Sequence, residues 1–191
     1  MIPTNRTEAA AEILDRYKNG RLLRREWTQG KCGTDGHERA CLLAAIAPCI
    51  APDGGRCQPD FSACPAWLLP QWMAYLTPWI DDAGSLDKWG DVVQRYAANL
   101  RDSDSMTPQA WDRLRERCRC LANAAGAPIK TALDWAESAV VSAMPNAVEA
   151  QETEDVAYES PNAGLDTADR LIDGVLTAWR EEIDAAKGGV E

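Results

Sequence analysis

Two cysteines and a histidine lie close together in the first quarter of the chain. Cys32, His37 and Cys41 are separated by five and four residues. Thiolates and imidazole nitrogens are the ligands that zinc prefers, and a cysteine beside a histidine can act as nucleophile and base. These three residues are therefore the candidates for a metal- or thiol-dependent enzyme.

The spacing of these residues argues against both kinds of chemistry. Structural zinc sites use two pairs of ligands with two to four residues inside each pair, and the seven cysteines form no such pair. His37 is the only histidine, so any cysteine nucleophile would have to use it as its base. We predict scattered, reduced thiols with no bound metal and no cofactor, and we keep an enzyme built on Cys32, His37 and Cys41 as an alternative.

Other thiols and carboxylates have a structural interpretation. Cys41 begins the apolar run CLLAAIAPCI, in which a thiol behaves as a small hydrophobic group. Cys118 and Cys120 are two positions apart in a helical segment, so they point about 200° away from each other. The adjacent carboxylates Asp81 and Asp82 also face different directions on a helix, and we expect them to end the helix instead of sharing a reaction.

The negative charge is concentrated at the end of the chain. Residues 149–191 contain twelve acidic and three basic side chains, whereas residues 1–148 contain eighteen and seventeen. A nearly neutral body with an acidic arm argues against nonspecific DNA binding, which depends on displacing counterions from phosphates. The arm has the charge expected for binding a positively charged partner.

Helical patterns cover the first part of the chain. Thr7 caps a first helix that ends at Asn19-Gly20, and residues 21–28 continue as a second short helix. The aliphatic run after His37 predicts a buried helix that ends at Pro48. Residues 61–80 carry no charge, but their prolines and their evenly spread tryptophans indicate a buried segment and not a membrane span.

The same helical patterns continue to the end of the chain. Ser85 and Thr107 are the expected caps of two amphipathic helices. An acidic, proline-bounded stretch then has the composition of a linker, and no strand alternation is present. The predicted segments are helices at 66–82, 85–101, 107–125, 128–144 and 164–187, with a linker at 147–163.

The last predicted helix has a regular row of apolar side chains, here called the apolar stripe. Together with Ala168, its members step by three or four positions, and they must be buried on the same body, on a second copy or on a partner. Together with the acidic residues before it, this stripe is the predicted partner-binding site. The site consists of Glu152, Glu154 and Asp155 in the linker, and of Leu165, Ile172, Val175, Trp179 and Ile183 in the helix.

Two short sequences resemble a known pattern. Trp27-Thr28-Gln29-Gly30 followed by Cys41-Leu42-Leu43-Ala44-Ala45-Ile46 resembles a signature of small uncharacterised helical proteins from bacteria and their phages, in which a W-x-Q-G turn precedes a C-L-x-G-A-type helix. The resemblance spans about 40 residues and departs from the pattern at Ala44, which is often glycine. It implies a phage or mobile-element origin, and it implies no activity, cofactor or catalytic residue.

Together these observations predict an all-α protein made of a helical body at residues 1–146, an acidic linker at 147–163 and a tethered amphipathic helix at 164–191. The body is expected to be a compact bundle of about six helices. No secretory signal is present in residues 1–20, so we expect a cytoplasmic location. The predicted function is non-catalytic binding of a protein partner or a second copy; the alternatives are inhibition of a nucleic-acid enzyme by acidic mimicry and the thiol- or metal-dependent enzyme.

Overall fold

The computed structural model describes residues 3–24, 28–29, 39–50, 58–125 and 161–188. Within these residues the chain is mainly helical, as the sequence predicts. A short 3-10 helix at Ser103–Ser105 follows the third α-helix directly. The five α-helices of the described residues are α1 (Arg6–Lys18), α2 (Gln71–Ala83), α3 (Trp89–Asp102), α4 (Pro108–Ala125) and α5 (Pro161–Gly188).

Two predicted helices have a different structure. Leu23 donates its backbone N–H to Ala40, so residues 21–24 run beside the chain near Ala40 and form no helix. Residues 41–47 are buried as predicted, but they form successive hydrogen-bonded turns, for example from Ala45 N–H to Cys41 C=O at 2.9 Å. Tertiary backbone pairing has therefore replaced helix formation in residues 21–24, whereas residues 41–47 form local turns. The predicted helix at 128–144 lies outside the described residues.

Two very short antiparallel pairs were not predicted. β1 (Thr28–Gln29) pairs with β2 (Arg39–Ala40), and β3 (Cys49–Ile50) pairs with β4 (Gln58–Pro59). Two-residue strands carry too few positions for an alternating pattern to be visible in the sequence. The β1–β2 pair places Thr28-Gln29 beside the residues that lead into Cys41, so the two halves of the resembling signature are neighbours in space.

The ends of α1 show how side chains set its length. Asn5, and not the predicted Thr7, caps the helix, because its Oδ1 accepts the backbone N–H of Glu8 at 2.8 Å. The Glu8 carboxylate in turn accepts the backbone N–H and the hydroxyl of Thr4. This reciprocal arrangement satisfies N–H groups that a helix start leaves unpaired. The predicted end at Asn19-Gly20 is confirmed, since Gly20 has φ +64°.

Two further predicted caps have different outcomes. Thr107 Oγ1 accepts the backbone N–H of Ala110 at 3.2 Å, and Pro108 is the first residue of α4, so this cap is confirmed. The prediction for Ser85 is wrong, because α3 begins at Trp89. Ser85 instead donates both its N–H and its hydroxyl to the distant carboxylate of Asp169 on α5.

α3 lies at the centre of the bundle. It packs against α1 and also against α5, which in turn packs against α4 and α2. The uncharged segment 61–80 supplies core residues, as predicted, with Leu69, Met73 and Leu76 buried. Among the described residues, none of the helices combines the length and the apolar character required to cross a membrane.

The prediction of a tethered C-terminal helix is wrong. α5 contacts α2, α3 and α4, and its inner side is part of the same hydrophobic core as the rest of the bundle. α5 also begins at Pro161, inside the predicted linker. A helix with this much apolar surface is stabilised by burying it, and the body of the same chain supplies a matching surface. α5 is therefore an integral element of the described fold.

Candidate functional site

The predicted site residues divide into three groups by location. The acidic residues Glu152, Glu154 and Asp155 lie outside the described residues, as do Cys32 and His37. Cys41 is completely buried at the start of the turn segment 41–47. The apolar stripe lies on α5, where its environment can be examined residue by residue.

Four of the five residues of the apolar stripe face the interior. Ile172, Val175, Trp179 and Ile183 are 0–2% exposed, whereas Leu165 near the start of α5 is 37% exposed. Of the three ways to bury the stripe that the sequence leaves open, the structure uses the body of the same chain. In this conformation, the four buried side chains are inaccessible to a second protein.

Trp179 is the largest fully buried side chain of α5 and connects three helices. Its ring meets Tyr96 of α3 edge-on, with centroids 5.4 Å apart, and lies 5.8 Å from the Trp111 ring of α4. Its indole Nε1 donates a hydrogen bond of 2.9 Å to Ser103 Oγ, which donates to the backbone carbonyl of Asn99. The ring is therefore packed on its apolar surface and satisfied at its only polar atom.

A polar contact between α3 and α5 extends from the same point. Asn99 Nδ2 donates to the backbone carbonyl of Leu176 at 2.9 Å, and Arg180 Nε donates to Asn99 Oδ1 at 3.0 Å. Arg180 also forms an ion pair of 2.9 Å with Asp102. The hydrogen bond from Arg101 lowers the pKa of Asp102 far below its ordinary value, and the bond from Arg180 acts in the same direction.

Most of the acidic side chains of α5 are paired with basic side chains of the body. Lys88 lies 3.3 Å from Asp169, Arg95 lies 2.5 Å from Asp173, and Arg113 lies 2.9 Å from Glu182. Arg117 contacts both Glu181 and Glu182. The carboxylates of Asp169 and Glu182 are buried, whereas those of Asp173 and Glu181 are exposed and form pairs that contribute about 0–1 kcal/mol each. The negative charge of α5 is thus used within the molecule.

Glycines allow two of these close contacts. A Cβ at Gly84, just after α2, would lie 2.9 Å from Ile172 Cδ1 and 3.1 Å from the Asp169 carboxylate. A Cβ at Gly174 would lie 3.2 Å from the Leu121 side chain of α4. A larger residue at either position would require the neighbouring side chain to shift.

A second polar cluster lies between α2 and the turn segment 41–47. Asp81, in the last turn of α2, is 3% exposed, while the adjacent Asp82 is on the surface. The expectation that the two carboxylates face different directions is confirmed. Burial raises the pKa of Asp81, while the Cys41 thiol and the Leu42 backbone N–H act on it as hydrogen-bond donors that lower the pKa. Its Oδ1 has no hydrogen-bond partner among the described residues.

Protonation distinguishes this cluster from a catalytic thiol site. Burial raises the pKa of Cys41 well above its ordinary value, and the nearby Asp81 raises it further. Burial likewise raises the pKa of Asp81 well above the usual range, with Asp82 adding to the effect. A buried neutral thiol is a poor nucleophile because the thiolate is the reactive form. Cys41 therefore lacks the environment that thiol catalysis needs.

The two cysteines of α4 lie in different environments. Burial raises the pKa of Cys118 to about 12, whereas Cys120, two positions later on α4, is exposed. Their opposite environments confirm that they point in different directions. In the part of the chain that the structure describes, no three His, Cys, Asp or Glu side chains are grouped so that they could hold a metal ion.

The sequence did not predict the polar contacts that join α5 to the rest of the bundle. Asn99, Ser103 and Asp169 are polar residues with no distinctive spacing, and their partners lie more than 75 positions away. One feature of the sequence weakly indicates that Asp81 is buried. It directly follows the uncharged segment 61–80, which is expected to be buried. No protein family, curated protein or solved structure matches the chain.

Proposed function

We propose that this chain is a non-catalytic binding protein that presents the acidic segment 149–159 to a positively charged protein partner. The observation that supports this function is the docking of α5 on the bundle. α5 begins at Pro161, two positions after the end of the acidic segment, so its docking anchors that end of the segment. The proposal retains Glu152, Glu154 and Asp155 as binding residues. It assigns Ile172, Val175, Trp179 and Ile183 to anchoring α5, since they are buried.

The distribution of charge supports the choice of this segment. Five of its residues are acidic and none is basic, so it has the highest density of negative charge in the chain. Four acids of α5 are already engaged, because Lys88, Arg95, Arg113 and Arg117 of the body lie within ion-pair distance of them. A basic partner that bound α5 would have to displace these pairs.

The binding proposed here is electrostatic, which gives it a clear experimental signature. Charges on opposing surfaces increase the rate of association and lose this effect as salt screens them. We expect capture of the partner to weaken steadily between about 0.05 and about 0.5 M NaCl. The resemblance to phage and bacterial proteins makes a bacterial extract the appropriate source of partners.

The test compares two variants with equal changes in net charge. One variant neutralises the segment, with each Glu changed to Gln and Asp155 changed to Asn. The control neutralises five exposed acids of the body by the same substitutions. The segment residues are Glu149, Glu152, Glu154, Asp155 and Glu159, and the control residues are Asp87, Asp91, Asp104, Asp112 and Glu116.

The expected result is that a bacterial protein binds the immobilised wild-type chain and the control variant, and that the segment variant loses it. Equal capture by all three proteins would contradict the proposal. Displacement of the captured protein by DNA would identify a nucleic-acid-binding partner and so the mimicry form of the function. Circular dichroism of both variants checks that the helices are intact.

A further inference from the structure

Asp81 is buried without the full set of hydrogen bonds that a carboxylate needs. It belongs to a polar row on the inner side of α2, since Thr77, one turn earlier, forms a 2.9 Å hydrogen bond with the hydroxyl of Tyr96. Thr77 also donates to the backbone carbonyl of Met73. Asp81 is 3% exposed, and its Oδ1 has no partner among the described residues. An ionised carboxylate in that position would be strongly destabilised.

The charged and titratable groups near Asp81 come from four parts of the chain. Asp82 follows it on α2, the Cys41 thiol faces it from the turn segment, Arg24 acts on it from residues 21–24, and Tyr96 lies near it on α3. Arg24 donates to the backbone carbonyl of Asp82 at 3.2 Å. Among these four groups, Asp82 supplies one further carboxylate and Arg24 supplies one guanidinium group.

Charged groups of the other neighbouring helices are engaged elsewhere. On α5, Asp169 binds Ser85 and Lys88 beyond the end of α2. On α1, Arg16 pairs with Glu12 at 2.6 Å. Within the described part of the chain, burial and the four groups named above are therefore the main influences on the protonation of Asp81.

We propose that Asp81 is a proton-controlled latch that holds the turn segment 41–47 against α2. In its neutral form the carboxyl group accepts the hydrogen bonds from Cys41 and Leu42 without placing a charge in the core. In its ionised form the carboxylate is released toward water and toward Arg24, and the turn segment separates from α2. The regulated element is the part of the chain that contains the second half of the resembling signature, Cys41 to Ile46.

The direction of the pH effect follows from proton linkage. Burial raises the pKa of Asp81 in the folded protein, whereas an opened segment would return it to the ordinary value near 4. The closed state therefore binds one more proton than the open state between these two pKa values. Opening becomes more favourable as pH rises, by up to about tenfold per pH unit in that window, and levels off above the raised pKa.

The experiment uses the thiols as reporters in the full-length protein. Cys41 is buried beside the latch, and Cys118 is equally buried on α4, remote in sequence and outside the cluster. Brief pulses of iodoacetamide at a series of pH values, read by peptide mass spectrometry, give the labelling rate of each thiol. Dividing each rate by the rate of the same thiol in urea-unfolded protein at the same pH removes the effect of thiolate formation and gives the fraction of time for which that thiol is exposed. Labelling of Cys118 reports global unfolding.

The expected result is that the exposed fraction is larger for Cys41 than for Cys118 and that the exposed fraction of Cys41 rises with pH in the wild-type protein. Asp81→Asn keeps the size of the side chain and should make the exposed fraction of Cys41 independent of pH. Asp82→Asn removes an equal charge one position away on the surface and should leave the rise in place. The proposal is overturned if the wild-type Cys41 value stays constant from about pH 5 to about pH 9, if it equals the Cys118 value throughout, or if the rise persists in Asp81→Asn.

Discussion

Two buried polar regions of this molecule differ in how completely their atoms are paired. Around Trp179, the indole N–H, the Ser103 hydroxyl and the Asn99 side chain all have hydrogen-bond partners. Around Asp81, one carboxylate oxygen has none among the described residues. A fully paired contact between α3 and α5 needs no change of protonation to persist, whereas the contact between α2 and the turn segment depends on a proton. The first region therefore anchors a helix, and the second can respond to conditions.

The largest expected effect comes from removing the anchor itself. Trp179→Ala deletes a side chain that is 0% exposed and packed between Tyr96 and Trp111. We expect it to lower the free energy of unfolding by about 3–5 kcal/mol, because the lost burial is accompanied by a cavity. Urea denaturation followed by circular dichroism measures the change.

A control on the same helix makes this test specific. Leu165 belongs to the same apolar stripe but is 37% exposed, so Leu165→Ala should cost less than about 1 kcal/mol. If α5 were a free, tethered helix, the two substitutions would have similarly small effects. Such a result would remove the contrast between the two regions.

A smaller effect is expected from unpairing one polar atom of the anchor. Ser103→Ala removes little volume but leaves the Trp179 N–H without its acceptor in a buried position. The free energy of unfolding should fall by about 1–3 kcal/mol. Ser105→Ala removes a partly buried hydroxyl from the same 3-10 helix and should cost less. Equal losses in the two variants, measured by thermal unfolding, would show that the indole hydrogen bond contributes nothing specific.

The smallest effect has the opposite pH dependence to that of Asp81. Asp102 lies near Arg101, Arg180 and Lys187, and hydrogen bonding from Arg101 lowers its pKa in the folded state. Its contribution is present above the ordinary pKa near 4 and is lost as pH falls through the lowered value. Asp102→Asn should therefore reduce stability at neutral pH by about 1 kcal/mol and flatten the loss in acid. Urea midpoints at a series of acidic pH values test this, and an unchanged acid profile would refute it.

Local patterns were a good guide to individual helices. Apolar positions three and four residues apart predicted α3, and the Thr107-Pro108 pair predicted the start of α4, because both signals act within a few residues. The same patterns failed at residues 41–47, whose aliphatic run forms turns. The chain that leads into this run is held by backbone bonds of Ala40 with Arg21 and Leu23, about 20 positions earlier, and local propensity carries no information about such a partner.

The sequence likewise predicted only part of the candidate binding site. The sequence identified the apolar stripe and correctly required that it be buried, but it left three possible surfaces open. It also identified the acidic segment as a concentration of charge, since charge can be counted directly. The pairing of Asp173 with Arg95 and of Glu182 with Arg113 was invisible, because each pair joins residues about 70 to 80 positions apart.

By itself, the sequence determined an all-α chain with an uncharged buried segment and an acidic, amphipathic end. Composition and helical periodicity specify these properties because each depends only on residue type and on spacing within a few turns. Only the tertiary structure decided that α5 is docked, that its acids are paired and that Asp81 is enclosed while Asp82 is not. The physical reason is that burial and pairing depend on which two surfaces pack together. The sequence of one surface does not specify which other surface will cover it.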